Sequence, residues 1–99
     1  MTDVIKRNGD REPYSEEKVR HSVEKAIQDA GLRTQSKKRL IDKVMDDVNQ
    51  VIKDRDEVTT GKIRNVIIND FEGEWVGDEV PMARAWRNYE LKHGIIYKD

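Results

Sequence analysis

The residues with the clearest potential for chemistry are basic side chains crowded into one stretch near the start of the chain, "VIKRNGDREPYSEEK", residues 4–18. Lys6 and Arg7 lie just before an Asn-Gly pair, and Lys18 lies in the first turn of the helix that follows. Because the start of a helix leaves backbone N–H groups without partners inside the helix, it commonly binds phosphate. The stretch therefore predicts an anion site. The alternative is a solvated turn in which the neighbouring glutamates compensate the lysine.

The two β-like runs around Asn8-Gly9 predict a β-hairpin over residues 3–14. Two registers are open. A two-residue turn would place Glu12 opposite Ile5, whereas a three-residue loop with its glycine in the left-handed conformation would place Glu12 opposite Val4. In the second register four side chains share one face of the hairpin: Val4, Lys6, Glu12 and Tyr14.

Apolar residues at helical spacing predict four amphipathic helices after the hairpin. Ser15 is the expected N-cap of the first, because its side chain can accept a hydrogen bond from a free N–H group of the first turn. Gly31 ends that helix. The second helix begins near residues 34–36 and carries a long, regular apolar stripe.

The second half of the chain is predicted to add a loop and two more helices. Residues 53–60 form the expected loop, and Thr60 is the expected N-cap of the third helix. The fourth begins at about Pro81, a residue that the first helical turn tolerates, and ends at Gly94. The predicted fold is α+β and mainly α, a four-helix bundle capped by an N-terminal β-hairpin or small β-sheet.

The composition narrows the classes of function. The 99 residues correspond to one domain, and 19 basic against 20 acidic residues leave a formal net charge of −1. No overall field therefore draws the chain onto DNA or a membrane. The absence of cysteine removes disulfides and thiol nucleophiles, and no apolar run approaches membrane-spanning length. We expect a soluble, cytoplasmic domain.

Catalytic and metal-binding motifs are not recognised in the sequence. Gly61-Lys62 resembles the end of a phosphate-binding P-loop, but Ile63 follows where serine or threonine is needed, and Asp56 stands at the position of the first glycine. His21 lies one helical turn from Glu17 without further ligands, which favours a solvated ion pair over a metal site. We expect no catalytic residue and no metal ligand.

Three blocks of the sequence resemble the signature blocks of the ATP-cone domain: "VIKRNGDREPYSEEKV", "VTTGKIRNVI" and "MARAWRNYELKHG". ATP cones are regulatory nucleotide-binding modules of ribonucleotide reductase large subunits and of the bacterial repressor of reductase genes. The resemblance implies an ATP-cone-like domain over residues 1–94, followed by a tail or linker over residues 95–99. It also implies that ATP or dATP, with or without Mg²⁺, binds between the sheet and the helices.

The resemblance implies a role for residues in each block. Lys6 corresponds to the lysine that approaches the phosphates, and Lys18 to the lysine of the first helix. Arg64 and Lys92 would add basic contacts from the third and fourth helices, while Tyr14 and apolar neighbours would line the adenine. The full set of expected nucleotide-binding residues is Val4, Lys6, Arg7, Glu12, Tyr14, Ser15, Lys18, Val19, Thr60, Ile63, Arg64 and Lys92.

These considerations favour a non-catalytic ATP or dATP sensor coupled to self-association or to a partner such as ribonucleotide reductase. The alternative is a helical protein–protein interaction module without a small ligand, with the Trp75-Val76 loop or the "GIIYK" tail as its contact. DNA binding by the third helix is disfavoured by the net charge and by nearby acids such as Asp70.

Overall fold

The computed structural model describes residues 2–75 and 81–97, and the statements below concern those residues. In chain order the elements are β1 (Asp3–Ile5), β2 (Arg11–Pro13), α1 (Glu16–Asp29), a 3₁₀ turn (Thr34–Lys37), α2 (Lys38–Ile52), β3 (Glu57–Thr59), α3 (Thr60–Glu72) and α4 (Met82–His93). The fold is α+β and mainly helical, as the sequence predicts. Expectations for Val76, in the loop before α4, and for Lys98, in the tail, fall outside the described residues.

The hairpin adopts the register with the three-residue loop. Val4 pairs with Glu12, and the Lys6 N–H donates to the carbonyl of Asp10 at 2.8 Å. Gly9 has a φ of 94°, a left-handed conformation that glycine adopts without steric cost. The Asn8 side chain accepts a hydrogen bond from the Asp10 N–H at 2.9 Å. The register with the two-residue turn is therefore wrong, because Lys6 rather than Arg7 pairs with Asp10 across the loop.

A third strand lies within the segment that was expected to be a loop. Glu57–Thr59 forms β3, which pairs in parallel with β1, so that the strand order is β2-β1-β3. Val4 pairs with Val58 at the centre of this pairing, and both side chains are buried. The loop expected over residues 53–60 is thus wrong at its C-terminal end, because a strand this short carries no recognisable periodicity and its partner is far away in sequence.

The starts of α3 and α4 also differ from expectation by one residue. Thr59, not Thr60, is the N-cap of α3, and its side chain accepts a hydrogen bond from the Lys62 N–H at 3.1 Å. The buried Thr60 hydroxyl donates instead to the carbonyl of Ile5 at 3.3 Å. Pro81 is the extended N-cap residue of α4 and precedes its first turn. Thr60 therefore joins α3 to the sheet rather than capping the helix.

The helices pack around one hydrophobic core, with α1 and α3 each contacting both α2 and α4. Phe71 of α3 and Trp86 of α4 meet edge to face, with ring centroids 6.1 Å apart. Ile96 and Tyr97, which follow α4, also belong to this core. In the described part of the chain no helix combines the length and the apolar character that crossing a membrane requires. The sheet thus lies against a helical core, with the start of α1 directly after β2.

Candidate functional site

Two lysines from different elements converge on one carboxylate where the hairpin meets α1. The Nζ of Lys6 lies 3.1 Å from Oε2 of Glu12, and the Nζ of Lys18 lies 2.8 Å from Oε1 of the same side chain. The hairpin register places Lys6 and Glu12 on one face, and the first turn of α1 brings Lys18 to that face. We call these three residues the Lys6–Glu12–Lys18 cluster.

The cluster carries a net positive charge next to a helix start. Hydrogen bonds from Lys18 and then from Lys6 hold the pKa of Glu12 below its ordinary value, so this carboxylate is ionised at neutral pH. Two ammonium groups against one carboxylate leave a charge of about +1. Each ammonium has three donors, and the bond to Glu12 uses one of them. Donors therefore remain for a second anionic partner.

The N-terminus of α1 is formed around Ser15. The Ser15 hydroxyl accepts a hydrogen bond from the Lys18 N–H at 3.2 Å, which is the N-cap bond that the sequence predicts. An open concavity of about 510 Å³ lies along this start of the helix. Its lining residues are Ser15, Glu17, Lys18, Arg20, His21 and Glu24. Of the cluster residues, Lys18 lines this depression, whereas Lys6 and Glu12 do not.

Two tyrosines lie near the start of α1, and Tyr97 contacts the cluster. The Tyr14 hydroxyl donates to Oδ1 of Asn49 at 3.4 Å, and burial raises the pKa of Tyr14 to about 12. The ring centroid of Tyr97 lies 4.6 Å from the Lys18 Nζ, and the Tyr97 hydroxyl is hydrogen-bonded to the backbone of Ser15. Burial raises the pKa of Tyr97 too, so both phenols are neutral donors at neutral pH. The cluster therefore has an aromatic side.

Three apolar residues of the expected site lie in the hydrophobic core. Val4 and Val19 are fully buried and Ile63 is 1% exposed, and all three belong to the core formed by the sheet and the helices. They support the elements that carry Lys6 and Lys18. Their direct role as a wall for an adenine ring stays a prediction.

Arg64 is engaged in an ion pair between α3 and α4. Its Nη2 donates to Oε1 of Glu90 at 2.8 Å, and its Nε donates to Oε2 of the same carboxylate. The hydrogen bonds from Arg64 to Glu90 raise the pKa of the guanidinium further. The side chain of Glu90 is only 9% exposed. Arg64 thus links two helices, and its expected phosphate contact stays a prediction.

The remaining expected residues are placed at separate points of the molecule. Arg7 is exposed in the loop of the hairpin, and Lys92 is exposed in the last turn of α4. The Thr60 hydroxyl is occupied by the carbonyl of Ile5. Their contacts to a nucleotide stay predictions.

Sequence reasoning missed two partners that organise the site. Tyr97 contacts both Ser15 and Lys18, although it lies outside the blocks that carry the resemblance. Glu90 pairs with Arg64. Neither had a usable signal: Tyr97 is one aromatic residue in a short apolar run, and Glu90 is one of 20 acidic residues.

In the described residues no group of three or more His, Asp or Glu side chains could hold a metal ion. In comparisons with known proteins, the family model of the ATP cone domain matches residues 2–94, nearly the whole 99-residue chain. No curated protein and no solved structure gave a significant match. ATP cones are regulatory, non-catalytic domains that bind adenine nucleotides. The family match, together with the hairpin and α1 lysines that meet at Glu12, leads to one conclusion: this chain belongs to the ATP-cone family.

Proposed function

We propose that this domain is a non-catalytic sensor that binds ATP or dATP with the phosphates against Lys6 and Lys18. The observation that carries the proposal is the convergence of these two ammonium groups on Glu12, one from a hairpin and one from a helix start. Family membership supplies the class of ligand. A cytoplasmic location, where these nucleotides are abundant, is part of the proposal.

The phosphates would use the donors that Glu12 leaves free. Charge-assisted hydrogen bonds to phosphate are about twice as strong as neutral ones. The side chains of Lys6 and Lys18 are 20% and 41% exposed, so a phosphate can reach them without a large rearrangement of the core. Glu12 would hold both ammonium groups in place before the ligand arrives, which lowers the entropic cost of binding.

The adenine would lie toward the aromatic side of the cluster. Of the three residues expected to enclose it, Val19 and Ile63 are core residues and Tyr14 is partly exposed. We therefore assign the direct ring contact to Tyr14 and a supporting role to the other two. Arg64 and Lys92 are secondary phosphate contacts in this proposal, because the first is paired with Glu90 and the second lies on the outer end of α4.

The sensor would act by changing an association equilibrium, either of this chain with itself or with a partner such as ribonucleotide reductase. A nucleotide can shift such an equilibrium only if it binds the two association states with different affinity. Sedimentation velocity with saturating ATP, saturating dATP and no nucleotide tests this part. A nucleotide-dependent change in mass is the expected result, and an unchanged mass with the chain alone would direct the search to a partner protein.

Thermal unfolding with increasing nucleotide tests binding itself. At about one hundred times the dissociation constant a ligand stabilises the folded state by about 2.7 kcal/mol, which raises the melting temperature of a domain this size by about 10 °C or more. ATP and dATP are titrated with and without Mg²⁺, and GTP serves as the control for base recognition. No shift at millimolar ATP or dATP would refute the proposal.

Charge-neutralising variants locate the site. Lys6→Met and Lys18→Met should each weaken ATP binding by about tenfold or more, because each removes a charge-assisted hydrogen bond. Lys25→Met is the matched control, since Lys25 is exposed on the same helix as Lys18 and lies about two helical turns further from the cluster. If the control variant loses as much affinity as the other two, the phosphates bind elsewhere.

The exposure of Trp75 favours a second candidate function, a protein–protein interaction module. This tryptophan is 52% exposed, and aromatic residues are enriched in the cores of protein interfaces. Ile96 and Tyr97 are buried, so this part of the tail is not available as the contact. Partner binding that is indifferent to nucleotide and survives Lys6→Glu and Lys18→Glu would favour this function over the sensor.

A further inference from the structure

The segment after α4 returns to the start of α1 and buries a tyrosine there. Gly94 ends α4 with a φ of 92°, and Tyr97 is then 2% exposed within the core. The family model ends at residue 94, so this contact lies beyond the part of the chain that the match covers. Residues 95–97 are the part of the tail that the structure describes.

Tyr97 contacts the site through both parts of its side chain. Its hydroxyl accepts a hydrogen bond from the N–H of Ser15 at 2.8 Å and lies 3.2 Å from the Ser15 carbonyl, to which it can donate. Its ring lies under the ammonium of Lys18, with 4.6 Å between Nζ and the ring centroid. One side chain thus contacts the N-cap residue of α1 and a lysine of the cluster.

The geometry restrains Lys18 from two directions. Glu12 attracts the ammonium by charge, and the electron-rich face of Tyr97 attracts it by a cation–π contact. Tyr97 itself has a φ of 56°, a left-handed conformation that costs energy for a residue with a side chain. Burial of the ring in the core, together with the contacts to Ser15 and Lys18, offsets that cost when the tail is docked.

We propose that Tyr97 is a positioning residue of the nucleotide site, and that tail docking and nucleotide binding stabilise each other. The inference rests on the proposed function and extends it to a segment that the family match does not include. The docked ring holds Lys18 beside Lys6 and Glu12, and the hydroxyl holds the start of α1. Because coupling between two sites is reciprocal, nucleotide binding must tighten the tail by the same factor by which the docked tail tightens nucleotide binding.

Tail docking and nucleotide binding could instead oppose each other, and that case gives a different experimental result. If phosphate could reach Lys18 only by displacing the ring, nucleotide would release the tail, and removal of the ring would raise affinity. Loss of ATP affinity on removal of the ring therefore indicates a positioning role, whereas a gain of affinity indicates competition between the ring and the phosphate.

The first experiment measures ATP affinity by calorimetry. Tyr97→Leu removes ring and hydroxyl and should weaken ATP about tenfold, the size expected for a partly desolvated cation–π contact. Tyr97→Phe keeps the ring and should retain most of the affinity. In a Lys18→Met background, Tyr97→Leu should cause little further loss of ATP affinity, because both residues act on the same contact between Lys18 and the phosphates. A purely structural role of Tyr97 would instead give additive losses.

The second experiment follows the tail in the unaltered protein. The 99-residue chain is digested with carboxypeptidase Y, which removes residues one by one from the C-terminal end, and mass spectrometry records when Tyr97 is released. Saturating ATP should slow that release, by about the factor found for Tyr97→Leu. This measurement does not depend on the folding of any variant.

The outcomes separate this inference from the proposed function. If the wild-type protein binds ATP but Tyr97→Leu binds it equally well or more tightly, or if ATP accelerates the release of Tyr97, the positioning role is overturned and the sensor stands. If the wild-type protein binds neither ATP nor dATP, the sensor itself fails and the inference fails with it.

Discussion

Breaking the ion pair between Arg64 and Glu90 gives the sharpest test of how the helices are held together. Glu90→Gln removes the charge while keeping the size of the side chain. The pair is bidentate, with one bond of 2.8 Å, and the Glu90 side chain is 9% exposed while that of Arg64 is 30% exposed. The contact joins α3 to α4, which are separate in sequence.

The expected cost lies between two measured limits. Removing one partner of a fully buried pair costs about 3–5 kcal/mol, because a charge is left unpaired, whereas an exposed pair is worth about 0.2–1 kcal/mol. The Arg64 guanidinium keeps some contact with water, so we expect Glu90→Gln to lower the free energy of unfolding by about 2 kcal/mol. For a domain this size that corresponds to a fall in melting temperature of about 8–16 °C.

A double-mutant cycle measured by urea unfolding isolates the pair. Wild type, Glu90→Gln, Arg64→Met and the double variant are compared, and the double variant should cost little more than either single one. Arg87→Met, on an exposed position of α4, is the control and should change stability by less than about 0.5 kcal/mol. If the losses of stability in the two single variants add up in the double variant, the pairing is refuted, and so is the cost estimated from its burial.

The same variants decide whether Arg64 also serves the nucleotide. If its role is confined to the helix contact, Arg64→Met should lower stability while leaving ATP affinity within about threefold of wild type, a change of less than 1 kcal/mol. A loss of about tenfold or more at a temperature where the variant is folded would place the guanidinium at the phosphates, as the family resemblance implies.

Three further predictions concern the fold. Gly9→Ala should cost about 1–2 kcal/mol by urea unfolding, because the φ of 94° is strained for alanine, and an unchanged free energy of unfolding would contradict the left-handed conformation of Gly9. Thr59→Ala should cost about 1 kcal/mol through loss of the N-cap bond to Lys62, and a neutral result would contradict the assignment of that cap. Burial, with the adjacent Asp47 carboxyl, raises the pKa of Asp70 above its ordinary 3.8, and the bond from Lys43 only partly opposes this. The folded state therefore binds a proton more tightly than the unfolded state, so the wild-type free energy of unfolding should fall as pH rises from 3.8 through the raised pKa. The Asp70→Asn variant should lack that fall. If the free energies of unfolding of the two proteins change in parallel with pH, the raised pKa of Asp70 is contradicted.

Several features of this protein follow from residues close together in sequence. The Asn8-Gly9 pair locates the turn, because its conformational preference acts within three residues. Ser15 caps α1 through a bond to Lys18, three positions on. The helices follow from apolar spacing, and the signature blocks indicate the family. In each case the interaction that decides the structure lies within one turn, so the sequence alone contains it.

Even within the hairpin, local reasoning left the register open. Both turn lengths satisfy the Asn-Gly preference, and the family resemblance favoured one of them. The structure decides the register: Val4 lies opposite Glu12, and the Lys6 N–H donates to the carbonyl of Asp10, which closes the three-residue loop.

Other features were decided only by the tertiary structure. β3 pairs with β1 across about half of the chain, and Tyr97 reaches Ser15 from the opposite end of the sequence. Arg64 could have paired with any of 20 acidic residues, and packing of α3 against α4 selects Glu90. Such contacts form only after the core has brought distant segments together, and their energy depends on the burial that the core creates. The sequence therefore shows which side chains are available to form the site. Which of these side chains pair with each other, and the contact of Tyr97 with Ser15, depend on how the helices and the sheet pack.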